Sequence, residues 1–335
     1  MGLLTFDDDF YSGLWGFIQS KGSEVSSLTS EADNAEENRH KYGPKPYQGE
    51  SVLSYIESHE TVFRLFSFFS IFIVMAVFEW LFPKRLLSVS KAKRWLNNIA
   101  LMVFNTVALR IIFPVAAAGF AAWCQANGIG LFHFFEISHG IAVLLSIVAL
   151  DGIIWFQHRL FHTVPLLWRL HAVHHADRDL DVTSGARFHT IEILLSMLIK
   201  LVAIALLGAP VVAVILFEII LSGMALFNHS NVALPHSIDK VVRWFVVTPD
   251  MHRVHHSIHR HESDSNFGFN LAIWDRLFNT YRAQPDEGHY GMTIGLPYVR
   301  EEKHVVWLFG LLRMPFTRNK ASSPEPSNEQ NNSSL

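Results

Sequence analysis

The sequence predicts an all-α protein, an integral-membrane helical bundle with a histidine-rich cap on its cytoplasmic side. Three observations support this fold class. Of the 335 residues, 50% are hydrophobic and 17% are charged, a more apolar and less charged composition than that of a typical soluble domain. Five long apolar stretches follow one another along the chain. There are 19 histidines, and eleven of them lie between His158 and His256.

Charge and cysteine content exclude several classes of protein. The net charge of -3 gives no basic surface for nucleic acid, so no nucleic-acid partner is expected. The single cysteine, Cys124, cannot form an intramolecular disulfide, which excludes a disulfide-bonded secreted scaffold. Asp7, Asp8 and Asp9 stand where a signal peptide would carry positive charge. We therefore expect membrane attachment through internal segments.

Composition divides the chain into four parts. Residues 1–60 contain a long polar stretch and are interpreted as a mobile polar leader. Residues 61–300 contain the apolar stretches and the clustered histidines, and form the membrane domain. Residues 301–317 are expected to form a short C-terminal helix or cap. Residues 318–335 are rich in Ser, Asn and Pro, which predicts a disordered tail.

The apolar stretches are long enough to cross a bilayer. They are Val62–Phe82, Ile99–Trp123, His139–Gln157, Ile191–Leu207 and Val211–Phe227. The last two are separated by Gly208-Ala209-Pro210, which indicates a tight turn between two helices.

The basic residues predict an orientation. The segment after the first stretch carries five of them, namely Lys84, Arg85, Lys91, Lys93 and Arg94. The loop Cys124–Ser138 has no Lys or Arg. The positive-inside rule places the first segment in the cytoplasm and the second loop outside. Every dense histidine cluster then falls on the cytoplasmic side.

One pair of charges lies within the last two apolar stretches. Lys200 is nine residues before Ala209, and Glu218 is nine residues after it. In an antiparallel hairpin the two side chains sit at equal depth, and charges in hydrocarbon are costly unless paired. We expect an ion pair, the alternative being that each charge faces a polar cavity separately.

Three histidine clusters have helical spacing. They are His158-x3-His162, His171-x2-His174-His175 and His252-x2-His255-His256. Imidazoles one turn apart share a helix face and can hold one metal ion. Eight histidines exceed the three or four that a zinc ion takes, so two metal ions fit the number better. Imidazole suits Zn, Cu, Fe and Ni, and ligand type alone does not name the metal.

Asp151 lies two helical turns before His158, on the same face. Metal-bound histidines often donate their second N–H to a carboxylate, so Asp151 is a candidate partner for His158 or a neighbour. The alternative is an ion pair with Arg110. His259 and His289 are kept outside the ligand set, because either side chain has an equally simple surface or loop role.

These clusters resemble those of the fatty acid hydroxylase and sterol desaturase superfamily, whose members are membrane-bound histidine-box oxygenases. Further matching segments are Phe227–Asn231, Thr248–His256, Asp264–Asn270 and Leu271–Tyr281. The resemblance covers about residues 62–300 and implies that residues 61–300 form a membrane and di-iron hydroxylase domain.

The resemblance also implies two iron ions, molecular oxygen as co-substrate, an external electron-donor protein and a membrane lipid substrate. It carries the eight clustered histidines over as ligands and adds His229 as a ninth. Some members of the family have a further histidine where this chain has Ala233. His189 is therefore a candidate replacement ligand, its other possible role being that of a helix-terminal residue.

The predicted function is hydroxylation or desaturation of a lipid by an integral, multi-pass membrane enzyme with its active site on the cytoplasmic side. An alternative is a zinc-dependent membrane hydrolase, which needs a carboxylate base at an open metal position. Glu136-x-x-His139 and His189-x-x-Glu192 are the suggestive pairs. A metal transporter is a third class, but its histidines should line the membrane helices. The identity of the lipid and the oligomeric state do not follow from the sequence.

Overall fold

The structure, a computed structural model, describes residues 52–317. The predicted tail and most of the predicted leader lie outside this range. Residues 52–58 of that leader are helical. Within the described range the chain is all-helical apart from loops and three isolated β-bridges. The all-α prediction is confirmed for this part of the chain.

The first nine α-helices of the described range include the long helices of the bundle. In chain order they are α1 (Val52–Ser58), α2 (Glu60–Leu81), α3 (Lys91–Ile112), α4 (Ala117–Ala126), α5 (Leu131–Phe134), α6 (His139–Thr163), α7 (Pro165–His175), α8 (Thr190–Leu207) and α9 (Val211–Asn228). Of these, α1 and α5 are short. Five stretches in the described range are long and apolar enough to cross a membrane, and α2, α6, α8 and α9 are four of them. The fifth contains α3, α4 and α5.

Shorter helices build the cap and the C-terminal part. They are α10 (His236–Val242), α11 (Pro249–His255), α12 (Arg260–Ser263), α13 (Ile273–Leu277), α14 (Gly288–Gly291), α15 (Glu302–Val305) and α16 (Leu308–Arg313), followed by a 3-10 turn at Met314–Phe316. Val305, Leu311 and Met314 pack into one core cluster with Trp168 and Val173 of α7. The C-terminal segment thus covers the helix that carries the second histidine cluster.

The second apolar stretch differs from its prediction as one helix over 99–123. Helix α3 begins at Lys91 and ends at Ile112, and α4 begins at Ala117. Pro114 lies in the interruption. Proline has no N–H to donate and disfavours helical geometry in the residue before it. Helix α3 alone has 22 residues, about 33 Å at 1.5 Å per residue, so it is long enough to cross the bilayer.

The two ends of the bundle are distinct. At one end, the α8–α9 turn contains Gly208, which has φ 71°. A Cβ there would lie 2.8 Å from the carbonyl oxygen of Ile129, so glycine allows both the left-handed conformation and the close approach. The turn predicted at 208–210 is confirmed. The opposite end carries His158 and His162 in the last turns of α6. We refer to these as the turn end and the histidine end.

Lys200 and Glu218 form the expected ion pair between α8 and α9, with 2.5 Å between Nζ and Oε1. Glu218 also pairs with Arg64 of α2, a contact absent from the prediction. The predicted pair is confirmed, and Arg64 connects a third helix, α2, to it.

Reversing both charges of the Lys200–Glu218 pair should restore part of the folded protein that is lost when Glu218 alone is reversed. We expect Glu218→Lys alone to lower the yield of folded protein, because it places three cations together in the membrane. Adding Lys200→Glu should restore part of the yield, and Arg64 beside the new lysine should keep rescue incomplete. Size-exclusion chromatography of detergent extracts measures the monodisperse fraction. A double variant no better than Glu218→Lys would contradict a contribution of the pair to folding.

The five basic residues used for orientation all have partners within the protein. Four are in ion pairs, namely Lys84 with Asp250, Lys91 with Glu79, Lys93 with Glu302, and Arg94 with Asp177 and Asp181. Arg85 donates to the carbonyl oxygens of His289 and Met292. Arg94 is fully buried. These residues build the histidine end, so the cytoplasmic placement of that end stays a prediction.

Candidate metal centre

All nine histidines named as ligands converge at the histidine end, and each is at most 3% exposed. They fall into two groups, within each of which one nitrogen per residue lies within 4.8 Å of the others. The larger group is His158, His162, His171, His175 and His255. The smaller group is His174, His229, His252 and His256. The groups adjoin, with the stacked rings of His175 and His256 4.5 Å apart between centroids.

Helical spacing explains which histidine joins which group. Residues four apart share a helix face, whereas the neighbour of either points elsewhere. His171 and His175 of α7 accordingly enter the larger group, and His174 between them enters the smaller. The third cluster reverses this arrangement, because His252 and His256 enter the smaller group and His255 the larger. Each His-x-x-His-His cluster therefore contributes to both groups.

Backbone carbonyls fix the rings of four histidines by accepting from Nδ1. The acceptors are Phe267 for His158 at 2.7 Å, Ser265 for His255 at 2.7 Å, Arg187 for His174 at 3.1 Å and Ala225 for His229 at 2.8 Å. A carbonyl oxygen can only accept, so the proton of each neutral ring is on Nδ1 and Nε2 carries a lone pair. Such outer partners orient metal ligands.

His174 and His229 face each other through Nε2 atoms that have no proton to share. His174 Nε2 lies 3.0 Å from His229 Nε2, although both rings use their Nδ1 proton on a carbonyl. Two facing lone pairs repel unless a cation lies between the rings. His158 Nε2 lies 3.0 Å from His171 Nε2, and His229 Nε2 lies 3.0 Å from Nε2 of His252, whose Nδ1 has no hydrogen-bond partner among the described residues. The donor sets therefore fit metal ions.

The electrostatics keep the rings neutral. Burial lowers the pKa of His171 to about 3 and that of His229 to about 4. Burial, followed by the neighbouring imidazoles, lowers the pKa of His174 and His256 well below the usual value. Metal binding requires the neutral imidazole, so at neutral pH these side chains are already in the ligating form.

Two carboxylates contact the histidines, and sequence reasoning assigned neither of them this role. Glu192 Oε1 accepts from His171 Nδ1 at 2.6 Å, and Asp264 Oδ1 lies 3.3 Å from His162 Nδ1. Glu192 is buried at the start of α8, and its other oxygen has no hydrogen-bond partner among the described residues. The Asp264–Asn270 match carried a signal for Asp264. Glu192 had been considered only as a hydrolytic base.

Asp151 does not contact His158, in contrast to its predicted role. Its Oδ2 accepts from Trp274 Nε1 at 2.8 Å and from the backbone N–H of Leu271 at 3.2 Å. The alternative pairing with Arg110 is also absent, because Arg110 lies near the turn end of α3. Asp151 lies two helical turns from His158, deeper in the bundle. The ring of His158 bonds instead to the backbone carbonyl of Phe267. Asp151 instead anchors the loop that follows the segment with the Ser265 and Phe267 carbonyls.

His189 lies outside both groups. It precedes α8, where its Nδ1 accepts from the backbone N–H of Ile191 and its Nε2 donates to the carbonyl of Leu312, both at 3.2 Å. With both nitrogens used, it acts as the N-cap residue of α8, which was its alternative role. His259 is exposed near Glu287, and His289 is buried near Asp250. Neither joins a group.

A cavity of about 320 Å³ adjoins the larger group. His158, His171 and Glu192 line it at the histidine end, together with Phe188 and Phe269. The remaining lining comes mainly from apolar side chains of the bundle helices. A mostly apolar cavity with a few polar groups is typical of a binding site for an apolar ligand.

Comparison with known proteins agrees with this geometry. The model of the family "Fatty acid hydroxylase" matches residues 143–280. An ornithine lipid hydroxylase of Rhizobium tropici is 30% identical over 221 residues, 63% of this chain and 65% of that protein. Human alkylglycerol monooxygenase is 28% identical over 42% of this chain and 31% of its own length. Human cholesterol 25-hydroxylase is 24% identical over 43% of this chain and 52% of its own.

The chain covers less than two thirds of the length of each of these relatives. No solved structure has significant similarity to it. The family match spans α6 to α13 and includes all nine histidines of the two groups. The five apolar helices make the protein a multi-pass membrane protein. From these findings together, residues 143–280, which carry the two histidine groups, match the fatty acid hydroxylase family, and the chain is similar to lipid hydroxylases and monooxygenases.

Proposed function

We propose that the protein is a membrane-bound di-iron oxygenase that hydroxylates or desaturates a lipid, using O2 and electrons from an external donor protein. One observation carries the proposal, namely the two adjoining groups of buried imidazoles, in which the unprotonated Nε2 atoms of His174 and His229 face each other. The relatives named as lipid hydroxylases and monooxygenases support the reaction class.

The larger group would hold one iron and the smaller group the other. Bound iron would supply the activation of O2 and the attack on a C–H bond, a reaction for which side chains alone have no suitable chemistry. The carbonyls of Phe267, Ser265 and Arg187 hold the imidazoles in position. Phe188 and Phe269 line the cavity beside His158 and keep water from the hydrocarbon of the substrate.

The cavity supports a lipid rather than a soluble substrate, because helices predicted to cross the membrane line most of it. The predicted orientation places the iron site on the cytoplasmic side, where a soluble or membrane-bound reductase could reach it. Substitution of cytoplasmic and external loops with single cysteines, followed by labelling in intact cells, tests that orientation.

The zinc hydrolase alternative has no support in the geometry. His139 begins α6, whereas His158 lies near its other end, about 28 Å away at 1.5 Å per residue. The Glu136–His139 pair is therefore remote from both histidine groups. Glu192 accepts from His171 through Oε1 and so orients a ring of the larger histidine group.

Metal analysis of the purified full-length protein tests the proposal. We expect about two iron ions per chain, because two complete imidazole groups are present. Mössbauer spectroscopy should show magnetic coupling between them. Zinc alone, in protein produced with ample iron, would contradict the di-iron centre. Lipids extracted from cells with and without the protein should differ by one oxygen atom for hydroxylation or by two hydrogen atoms for desaturation.

A further inference from the structure

A second cavity of about 230 Å³ lies in the half of the bundle away from the histidines, and charged side chains line it. They come from three membrane helices: Glu60 and Arg64 from α2, Arg110 from α3 and Glu218 from α9. Apolar membrane helices rarely carry ionisable groups without a functional reason. We refer to this space as the charged cavity.

The charged cavity meets the cavity beside the histidines. Thr106, Leu109 and Met197 line both of them. Lys200 lines the larger cavity and Glu218 the charged one, so their ion pair lies where the two spaces adjoin. One elongated molecule could therefore occupy both.

Not every charge around this junction is paired. Arg64 pairs with Glu60 and Glu218, and Lys200 pairs with the same Glu218. Arg110 also lines the charged cavity, and within residues 52–317 it has no ion-pair partner. Two arginines and two glutamates line the charged cavity, but both carboxylates are already paired, and Glu218 is paired twice. The guanidinium of Arg110, exposed near the end of α3, is therefore the group left to bind an anionic ligand.

The distance between the junction and the histidines suits an extended lipid. Lys200 is eight residues after Glu192 on α8, which is about 12 Å at 1.5 Å per residue. Glu192 contacts His171 directly. A group held by the charged cavity would therefore leave its hydrocarbon to run through the larger cavity toward His158 and His171.

We propose that the charged cavity binds the anionic group of the lipid substrate, a carboxylate or a phosphate, and thereby sets which carbon of its chain reaches the metal centre. Arginine is well suited to the task, because its guanidinium donates two parallel hydrogen bonds to either anion. This inference rests on the proposed function, because the bound hydrocarbon would be oxidised at the histidine groups.

The test compares three lipids of equal chain length, namely palmitate, hexadecyl phosphate and hexadecanol. Equilibrium binding of the radiolabelled lipids is measured on purified full-length protein in nanodiscs, under nitrogen and without reductant. We expect at least one of the two anions to bind about tenfold more tightly than the alcohol, as a charge-assisted hydrogen bond requires. Which anion is preferred distinguishes a carboxylate from a phosphate ligand. Equal binding of all three would overturn the proposal.

Variants of Arg110 locate the effect. Arg110→Gln should reduce the preference for the anion to about twofold or less, whereas Arg110→Lys should keep most of it. Arg110 has no ion-pair partner among the described residues, so its substitution leaves no carboxylate without its partner. Arg313→Gln is the matched control, because Arg313 is exposed at the end of α16 and lines neither cavity. An undiminished preference in Arg110→Gln would overturn the assignment.

Binding under nitrogen separates this inference from the proposed function. A protein that binds two irons and oxidises lipid, but binds the three probes equally, would refute only the charged cavity. A protein that binds zinc and still prefers the anion would refute only the oxygenase. In an active protein, Arg110→Gln should also spread oxidation over more chain positions, which mass spectrometry of the product locates.

Discussion

Replacing His174 with alanine is expected to lower iron content from about two ions per chain to about one and to reduce lipid oxidation at least about 100-fold. His174 belongs to the four-membered group, and its Nε2 lies 3.0 Å from that of His229. Loss of an outer partner alone typically costs 10- to 100-fold, so loss of a ligand should cost at least as much. Elemental analysis and quantification of oxidised lipid measure the two effects.

His236→Ala provides the matched control for His174→Ala. His236 is exposed at the start of α10 and belongs to neither histidine group. We expect normal iron content and turnover in this variant. Folding of the His174→Ala protein is checked by its elution in detergent. Full turnover in well-folded His174→Ala protein would remove the central claim about the metal centre.

The histidine arrangement was largely predictable because it depends on local periodicity. Three clusters with helical spacing place paired imidazoles on one face wherever the helices pack. His229 entered the set only through the resemblance to the superfamily, because a single histidine at the end of an apolar helix has no distinctive spacing. The assignment of His174 and His175 to different groups required tertiary contacts, because the His174 ring lies beside those of His229 and His256, and the His175 ring beside those of His162 and His255.

The partners of the histidines were less predictable. Four of them are backbone carbonyls, among them those of Phe267 and Ser265, and a carbonyl is present at every residue. Asp151 lies on the same helical face as His158, but the spacing does not show how deep in the bundle each side chain lies. Trp274, which donates to Asp151, comes from the distant helix α13. The long-range contacts of the fold therefore decided these roles.

The second apolar stretch contains a local signal for the break between α3 and α4. Pro114 interrupts it, and proline ends α3 for a local physical reason. The position of Lys91 and Arg94 inside α3 needed tertiary information, because their partners Glu79, Asp177 and Asp181 come from other segments. The positive-inside rule used these cations only to orient the chain, whereas the carboxylates bring Arg94 into the interior.

Arg94→Met is expected to destabilise the protein by about 3–5 kcal/mol, the usual cost of removing one partner from a buried ion pair. Arg94 donates to Asp177 at 2.7 and 2.9 Å and to Asp181 at 2.5 Å. Burial raises the pKa of Asp177, but Arg94 and Arg187 outweigh burial and lower it to about 2. Asp177 is therefore ionised at neutral pH. Without Arg94 its remaining partners would be Arg187, at 3.7 Å, and the hydroxyl of Ser184, at 2.8 Å.

Lys93→Met separates this effect from a general loss of positive charge at the start of α3. Lys93 is 49% exposed and pairs with Glu302, which is 41% exposed, so its removal should cost about 0–1 kcal/mol. Thermal unfolding of the purified proteins compares the two variants, and equal midpoints would contradict a stabilising role for the buried network. Because Asp177 follows His175 by two residues, the Arg94→Met protein should also lose iron more readily when challenged with a chelator. Adding Asp181→Asn to the Arg94→Met protein removes one unpaired carboxylate and should restore part of the stability. If Arg94 stabilised the protein only by filling space, this second substitution would restore nothing.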